Sequence, residues 1–376
     1  MLVERIGDNM DERLSKLSNT IVNYSVGVKE NDKVLIQYES SMCKPLIKCL
    51  IKHIYKNKGI PFVKLVDNEL ETLIKENASS KVIDEMVKMK TYEVDNFDCF
   101  IRICYTENEF EDKDISVDIR KELGSKSQEV DDIRINERRW VLLNYPSLVD
   151  AYKAKMKYDD FYNFSMDVMN VDYKSLNEKI KPLKDLMERT DKVRILGPNT
   201  NIEFSIKGMK AIPCCGTANI PDGELYTAPI KESVNGVITY NTPSPYRGNI
   251  FNNIRLEFKD GKIINCSANE HQSELEEIFN IDEGARFIGE FSLGFNPMIT
   301  KPMGDILYDE KIMGSLHFTP GRCYEDCSNG NISSVHWDLV LIQRSEYGGG
   351  EIYFDDILIR KDGMFVIDEL KNLNYN

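Results

Sequence analysis

From residue 33 to residue 146, four short apolar runs alternate with longer stretches of helical periodicity, and this alternation restricts the fold more than any other feature. The runs are residues 33–39 (KVLIQYE), 61–67 (PFVKLVD), 97–105 (FDCFIRICY) and 140–146 (WVLLNYP). After the first run, Leu46, Ile47, Leu50, Ile51 and Ile54 recur at helical spacing, with Ser40 placed to cap that helix and Gly59 to stop it. Residues 69–90 and most of 115–139 are also expected to be helical. Runs apolar on both faces and separated by helices imply a mostly parallel sheet covered by helices. No Gly-x-Gly-x-x-Gly follows the first run and no Gly-Lys-Ser/Thr phosphate loop is present, so nucleotide binding has no support.

Residues 148–190 read as a long helical connector, with Phe161, Tyr162 and Phe164 marking one apolar stretch. From residue 192 the texture changes to short β-type runs punctuated by Gly, Pro and Asn. KDGKII and RKDGMFV carry Asp-Gly hairpin turns. Only residues 270–279 and a few around Asp309 read as helical there. The expected organisation is an α/β N-terminal domain with a mostly parallel sheet and helical connector, residues 1–190, followed by a β-rich α+β catalytic domain, residues 191–376. A length of 376 residues is in keeping with two domains.

Charge narrows the partners. With 48 basic against 62 acidic residues the formal charge is −14, which opposes nucleic acid or an anionic membrane as the main partner. No apolar run approaches about 18 residues, and the first residues lack the basic-then-apolar layout of a secretory signal. The nine cysteines are scattered, a pattern expected of free thiols in a reducing cytoplasm. Cys323 and Cys327 have the look of a thiolate metal pair, but no second pair of matching spacing follows, so a structural role is expected.

Metal-ligand side chains gather in the second half, which holds three of the four histidines. His336 and Asp338 (VHWDLVLI) form a His-x-Asp pair opening an apolar strand, where residues two apart project to one face. Such a pair needs either a metal or a mutual hydrogen bond to be buried. Glu290 is a single carboxylate inside the apolar run ARFIGEFSLG and needs a cation or donors. Glu224 lies in a turn-rich segment where Gly223 permits close backbone approach, and His317 precedes a Thr-Pro-Gly turn leading to Tyr324. Two histidines with three carboxylates suit zinc, cobalt, manganese or magnesium, and not an iron–sulfur cluster. Five ligands exceed what one catalytic zinc keeps, about three plus water, and fit a pair of divalent ions bridged by a carboxylate.

Four motifs in order, Asn-x-Pro-x-Gly-Glu (219–224), Gly-Ala-x-x-x-Gly-Glu (284–290), Asp-Glu-Lys-x-x-Gly-Ser-x-His (309–317) and His-x-Asp (336–338), resemble those of the thermophilic-type metallo-aminopeptidases, the aminopeptidase T family. NDKVLIQYES near the start, the Arg-Arg-Trp and Tyr-Pro segment at 138–146 and the Glu290 run extend the resemblance over nearly the whole chain. The resemblance implies that Glu224, Glu290, His317, His336 and Asp338 hold two divalent cations per chain. It further implies that Tyr324 is a catalytic tyrosine and Glu290 a bridging or proton-shuttling carboxylate. The implied activity is hydrolysis of the N-terminal residue from peptides with a free N-terminus, through a metal-activated water, by a homodimer. Thr319-Pro320 and Cys214-Cys215 depart from the pattern. Two other readings keep the fold: a dinuclear metallohydrolase of another amide or a phosphoester, and a non-catalytic metal-binding protein.

Overall fold

The apolar runs of the first half pair as parallel strands in the order Ile60–Leu65, Lys33–Tyr38, Cys99–Cys104 and Arg139–Asn144, and Asn219–Ile220 adds a fifth strand. In this computed structural model, which describes residues 11–374, Val34, Ile36, Ile101, Val141 and Leu143 are wholly buried. With Leu35 and Phe100 buried as well, this explains why the central runs read as continuously apolar instead of alternating, whereas the edge strand Ile60–Leu65 is apolar yet leaves Phe62, Val63 and Leu65 exposed. The helix Lys44–Lys56 turns Leu46, Ile47, Leu50 and Ile54 inward. Ser40 caps a single 3-10 turn, Ser41–Cys43, which leads into that helix, its hydroxyl accepting from the Met42 N–H at 3.4 Å.

Two expectations about helices are corrected. The stretch 69–90 is two helices, Asn68–Glu76 and Ser80–Asn96, parted at Asn77-Ala78-Ser79, where the Asn77 side-chain amide donates to the Leu73 carbonyl at 2.9 Å. The connector is four short helices, Leu148–Lys153, Tyr158–Met169, Tyr173–Lys179 and Lys181–Arg189. Lys155 in the left-handed region (φ +54°), Asp172 as an N-cap and Pro182 in the first turn of the last helix interrupt it. No helix among the described residues is long and apolar enough to cross a membrane.

The chain divides into two compact units: residues through Asn170 together with Gly216–Ile220, and Val171–Cys215 together with Pro221 onward. The second unit is built on two antiparallel sheets. One has eight strands and begins with the hairpin partners Lys192–Gly197 and Thr200–Ser205. The other has five, in the order Val340–Ile342, Ser315–Pro320, Ile288–Gly294, Glu224–Thr227 and Ile212–Cys214.

Alternation along the five-stranded sheet sorts its side chains by chemistry. Phe291 and Phe318 are register partners and pack on Phe204 of the eight-stranded sheet at centroid distances of 5.0 and 4.9 Å. Each such buried ring contributes about 1.5–3 kcal/mol. The intervening residues Glu290, Ser292, His317 and Thr319 therefore project from the opposite face. Pairing extends that face to Tyr226, opposite Ser292, and to Glu224 two residues before it. Every residue of Ile288–Gly294 and Ser315–Pro320 is buried, so the polar face is covered as completely as the aromatic one.

At the end of the His317 strand, Gly321 has φ +108°, and a Cβ built there would lie 2.0 Å from the Val335 carbonyl oxygen. Glycine is thus required both by backbone conformation and by the approach of the segment carrying His336, which bridges to Gly321. Gly321→Ala is expected to lower stability by about 2–4 kcal/mol, from left-handed strain plus overpacking. Urea unfolding measures this, and an unchanged midpoint would contradict the packing argument.

Candidate metal centre

Glu290 and His317 come from adjacent strands and meet across the polar face, Nε2 of His317 lying 2.8 Å from Glu290 Oε1. The same Nε2 is 3.4 Å from Oε2 of Glu224, whose strand pairs on the other side of the Glu290 strand. Glu224 is not a solvated turn residue. It opens a strand, is buried, and its Oε2 also accepts from Ser292 Oγ at 2.9 Å. Gly223 (φ +133°) makes this possible, because a Cβ there would press on Asn296 at 3.0 Å.

His336 and Asp338 close the other side. They lie not on a strand but in the extended stretch before Val340–Ile342, held by the Gly321–His336 bridge. Their side chains still converge, with His336 Nε2 3.4 Å from Asp338 Oδ1 and 3.9 Å from Glu290 Oε2. Nδ1 of His336 is 2.7 Å from the Arg322 carbonyl, which as an acceptor fixes the N–H on Nδ1 and turns Nε2 toward the carboxylates. Thr319 Oγ1 donates to Asp338 Oδ1 at 2.7 Å. All five residues singled out as metal ligands in the sequence are therefore gathered. They form two triads, Glu224–Glu290–His317 and Glu290–His336–Asp338, that share Glu290.

The donors fit a divalent metal on two grounds. Oε2 of Glu290 is buried without a hydrogen-bond partner, and a buried carboxylate oxygen is costly to leave unmatched. The mixed nitrogen and oxygen set also suits borderline and hard divalent ions. Tyr324, the remaining site residue, stands at the rim with its ring 4.9 Å from that of His336 and 5.7 Å from that of Tyr226. Burial against the site, together with the Glu290 and Asp338 charges, pushes its phenol above the ordinary range, so it remains a proton donor at neutral pH.

Lys311 is the residue that sequence reasoning missed. It is wholly buried, its Nζ donating to Glu224 Oε1 at 3.0 Å and to Glu310, with Asp222 at 4.0 Å. The only available signal was its place in the motif of residues 309–317, where it reads as one more surface lysine. Although burial opposes it, Glu224 and Glu310 hold the ammonium well above its usual range, so it is a permanent cation. Burial likewise pushes Glu310 up to about 8 despite Lys311 beside it. Glu224 is thus fixed at both oxygens, Oε1 by Lys311 and Oε2 by Ser292 on the side facing His317.

Burial works against protonation of the two imidazoles, but Glu224 and Glu290 push His317, and Asp338 and Glu290 push His336, up to about 10. Burial opposes and His336 outweighs it at Asp338, holding that carboxylate well below its usual range. A cation must displace the imidazole protons, so metal affinity is expected to climb as pH rises toward about 10. Calorimetry in buffers of different ionisation enthalpy should register proton release at neutral pH, and none would contradict this electrostatic picture. Lys311→Met leaves buried carboxylates unmatched and is expected to cost the metal-free protein about 3–5 kcal/mol, read from urea unfolding. An unaltered midpoint would show that Lys311 carries no such charge burden.

Comparison with known proteins identifies the family and the fold. The sequence pattern of the family described as thermophilic metalloprotease (M29) matches residues 10–365. Aminopeptidase 2 of Geobacillus stearothermophilus is 39% identical over 163 residues, 39% of this chain and 37% of that protein. Aminopeptidase T of Thermus aquaticus is 28% identical over 156 residues, 37% of this chain and 36% of that protein. The chain therefore matches little more than a third of the length of these relatives. The solved structure of wild-type AmpT from Thermus thermophilus has a TM-score of 0.77 at 16% identity, covering 95% of this chain and 99% of that one, which establishes a shared fold. With its family pattern running through both units and all four site motifs, the chain belongs to the thermophilic metalloprotease family.

Proposed function

We propose that this protein is a metallo-aminopeptidase that removes the N-terminal residue of peptides, using two divalent cations held by Glu224, Glu290, His317, His336 and Asp338. The observation that carries the reading is Glu290, shared by two His–carboxylate triads and left with one buried oxygen unmatched. Relatives named aminopeptidases support the peptide substrate. Divalent cations at such a centre supply Lewis acidity toward a carbonyl and lower the pKa of a water.

The chain's own residues account for the remaining tasks. Glu290 belongs to both triads, which suits it either to be the carboxylate shared by the two cations or to carry the proton of the attacking water to the leaving amine. Tyr324, kept protonated at the rim, donates a hydrogen bond to the carbonyl oxygen as negative charge develops there. A free N-terminal amine can approach such a centre closely, whereas an acetyl group adds bulk there and removes the amine's basicity. The family resemblance also supports a homodimer, a state that analytical sedimentation reads directly.

Glu290→Gln should reduce turnover by about 10²–10⁴-fold while the circular dichroism spectrum is retained. Chelation should abolish turnover in the parent protein, and divalent ions should restore it. N-acetylated peptides should be inert beside their free counterparts, and equal hydrolysis of both would rule out the exopeptidase reading.

A further inference from the structure

The two triads differ in their access to solvent. Glu224, Glu290 and His317 are buried, whereas the side chains of His336 and Asp338 retain 19% and 14% exposure. A substrate therefore approaches from the His336–Asp338 side. On that side a cavity of about 190 Å³ adjoins both residues. Its other walls are Pro243, Pro245, Tyr246, Ile306, Trp337 and Val340.

These walls are apolar and held in place. Tyr246 stacks on Trp337 at 4.7 Å, Phe251 meets the indole edge-on at 5.1 Å, and Pro245 within the strand Ser244–Tyr246 and Pro243 just before it restrict that segment. The polar groups at the cavity are already engaged. Thr242 Oγ1 donates to the Val340 carbonyl at 2.8 Å, and Ser244 Oγ to the Thr242 carbonyl at 3.4 Å. Both oxygens of Asp309 accept backbone N–H groups, from Met303 at 2.6 Å and Gly304 at 3.1 Å. Apart from the metal-centre residues, Asp309 is the one charged residue of the lining, and both its oxygens are engaged by backbone N–H groups, so a charged guest finds no unengaged partner, and burying an unpaired charge is strongly unfavourable. An apolar cavity on the order of 150 Å³ accommodates benzene, so this one has room for a guest of similar bulk.

We propose that this cavity receives the side chain of the substrate's first residue and selects uncharged side chains between leucine and phenylalanine in size. The inference rests on the aminopeptidase reading, since a residue whose carbonyl lies at the metal centre projects its side chain into the adjoining space. Ile306 is the position to probe. It is 40% exposed on the cavity wall, so substitution there leaves both the folded core and the ligand set alone.

The test uses the metal-loaded full chain and aminoacyl p-nitroanilides of Leu, Phe, Ala, Lys and Glu. Leu and Phe should exceed Lys and Glu in kcat/KM by at least about tenfold. Ile306→Glu should shift the Leu-to-Lys ratio toward Lys by about tenfold or more, and Ile306→Trp should shift Phe-to-Ala toward Ala, with metal content unchanged. Binding of free L-leucine and L-glutamate is measured by calorimetry on the same preparations. Turnover with a flat ranking, or a ranking that neither variant alters, overturns the cavity assignment and leaves the aminopeptidase reading standing. Absent turnover with leucine bound in preference to glutamate, and that preference lost in Ile306→Glu, supports the cavity while refuting the activity. Absence of both turnover and leucine binding overturns both.

Discussion

Carboxylates and imidazoles cannot be buried on a β-sheet without matching charge, and the second unit is organised around meeting that requirement. Two central strands of the five-stranded sheet alternate aromatic and polar side chains. Phe291 and Phe318 on one face interlock with Phe204 and fix the two sheets together. The same backbone then delivers Glu290 and His317 to the other face within 2.8 Å of each other. Packing on one side and ligand geometry on the other are consequences of a single register, so a one-residue slip would exchange them.

Charge compensation at the site has two sources. Lys311 is a cation built into the chain, placed among Asp222, Glu224 and Glu310. The remaining negative groups, Glu290 and Asp338, have the imidazoles of His317 and His336 as their ion-pair partners, with one further hydrogen bond from Thr319 to Asp338. This division explains why the proposed ions belong around Glu290. An ammonium already fills the neighbouring acidic cluster, where Cys214, Asp222 and Glu224 would otherwise form a third possible ligand group.

In the proposed reaction, the less buried triad also orients the approach of a substrate. Its His336 is held by the Arg322 carbonyl and flanked by Tyr324, while the far side of the same segment carries Trp337 into an aromatic stack with Tyr246. Thus three consecutive residues, His336, Trp337 and Asp338, line the adjoining cavity, and the first and third of them also belong to the candidate metal centre.

Local pattern in the sequence determined the parallel sheet, the β-rich second half and the isolation of Glu290 among apolar neighbours. These are properties of contiguous residues, and hydrophobic periodicity reports them directly. Of the five residues proposed as ligands, Glu290, His336 and Asp338 were legible because charged and imidazole groups stand out against apolar surroundings, whereas Glu224 and His317 were singled out mainly through the family resemblance. What only the tertiary structure decided concerns partners distant in the chain. Glu224 reads as a solvated turn until the Glu290 strand pairs with it, and Lys311 reads as a surface lysine until residues 222 and 224 close around it. The cavity joins Pro243–Tyr246 to Ile306 and Trp337, segments roughly sixty and thirty residues apart. Its apolar character belongs to no single segment, because burial and electrostatic environment arise from three-dimensional convergence, which one-dimensional spacing does not encode.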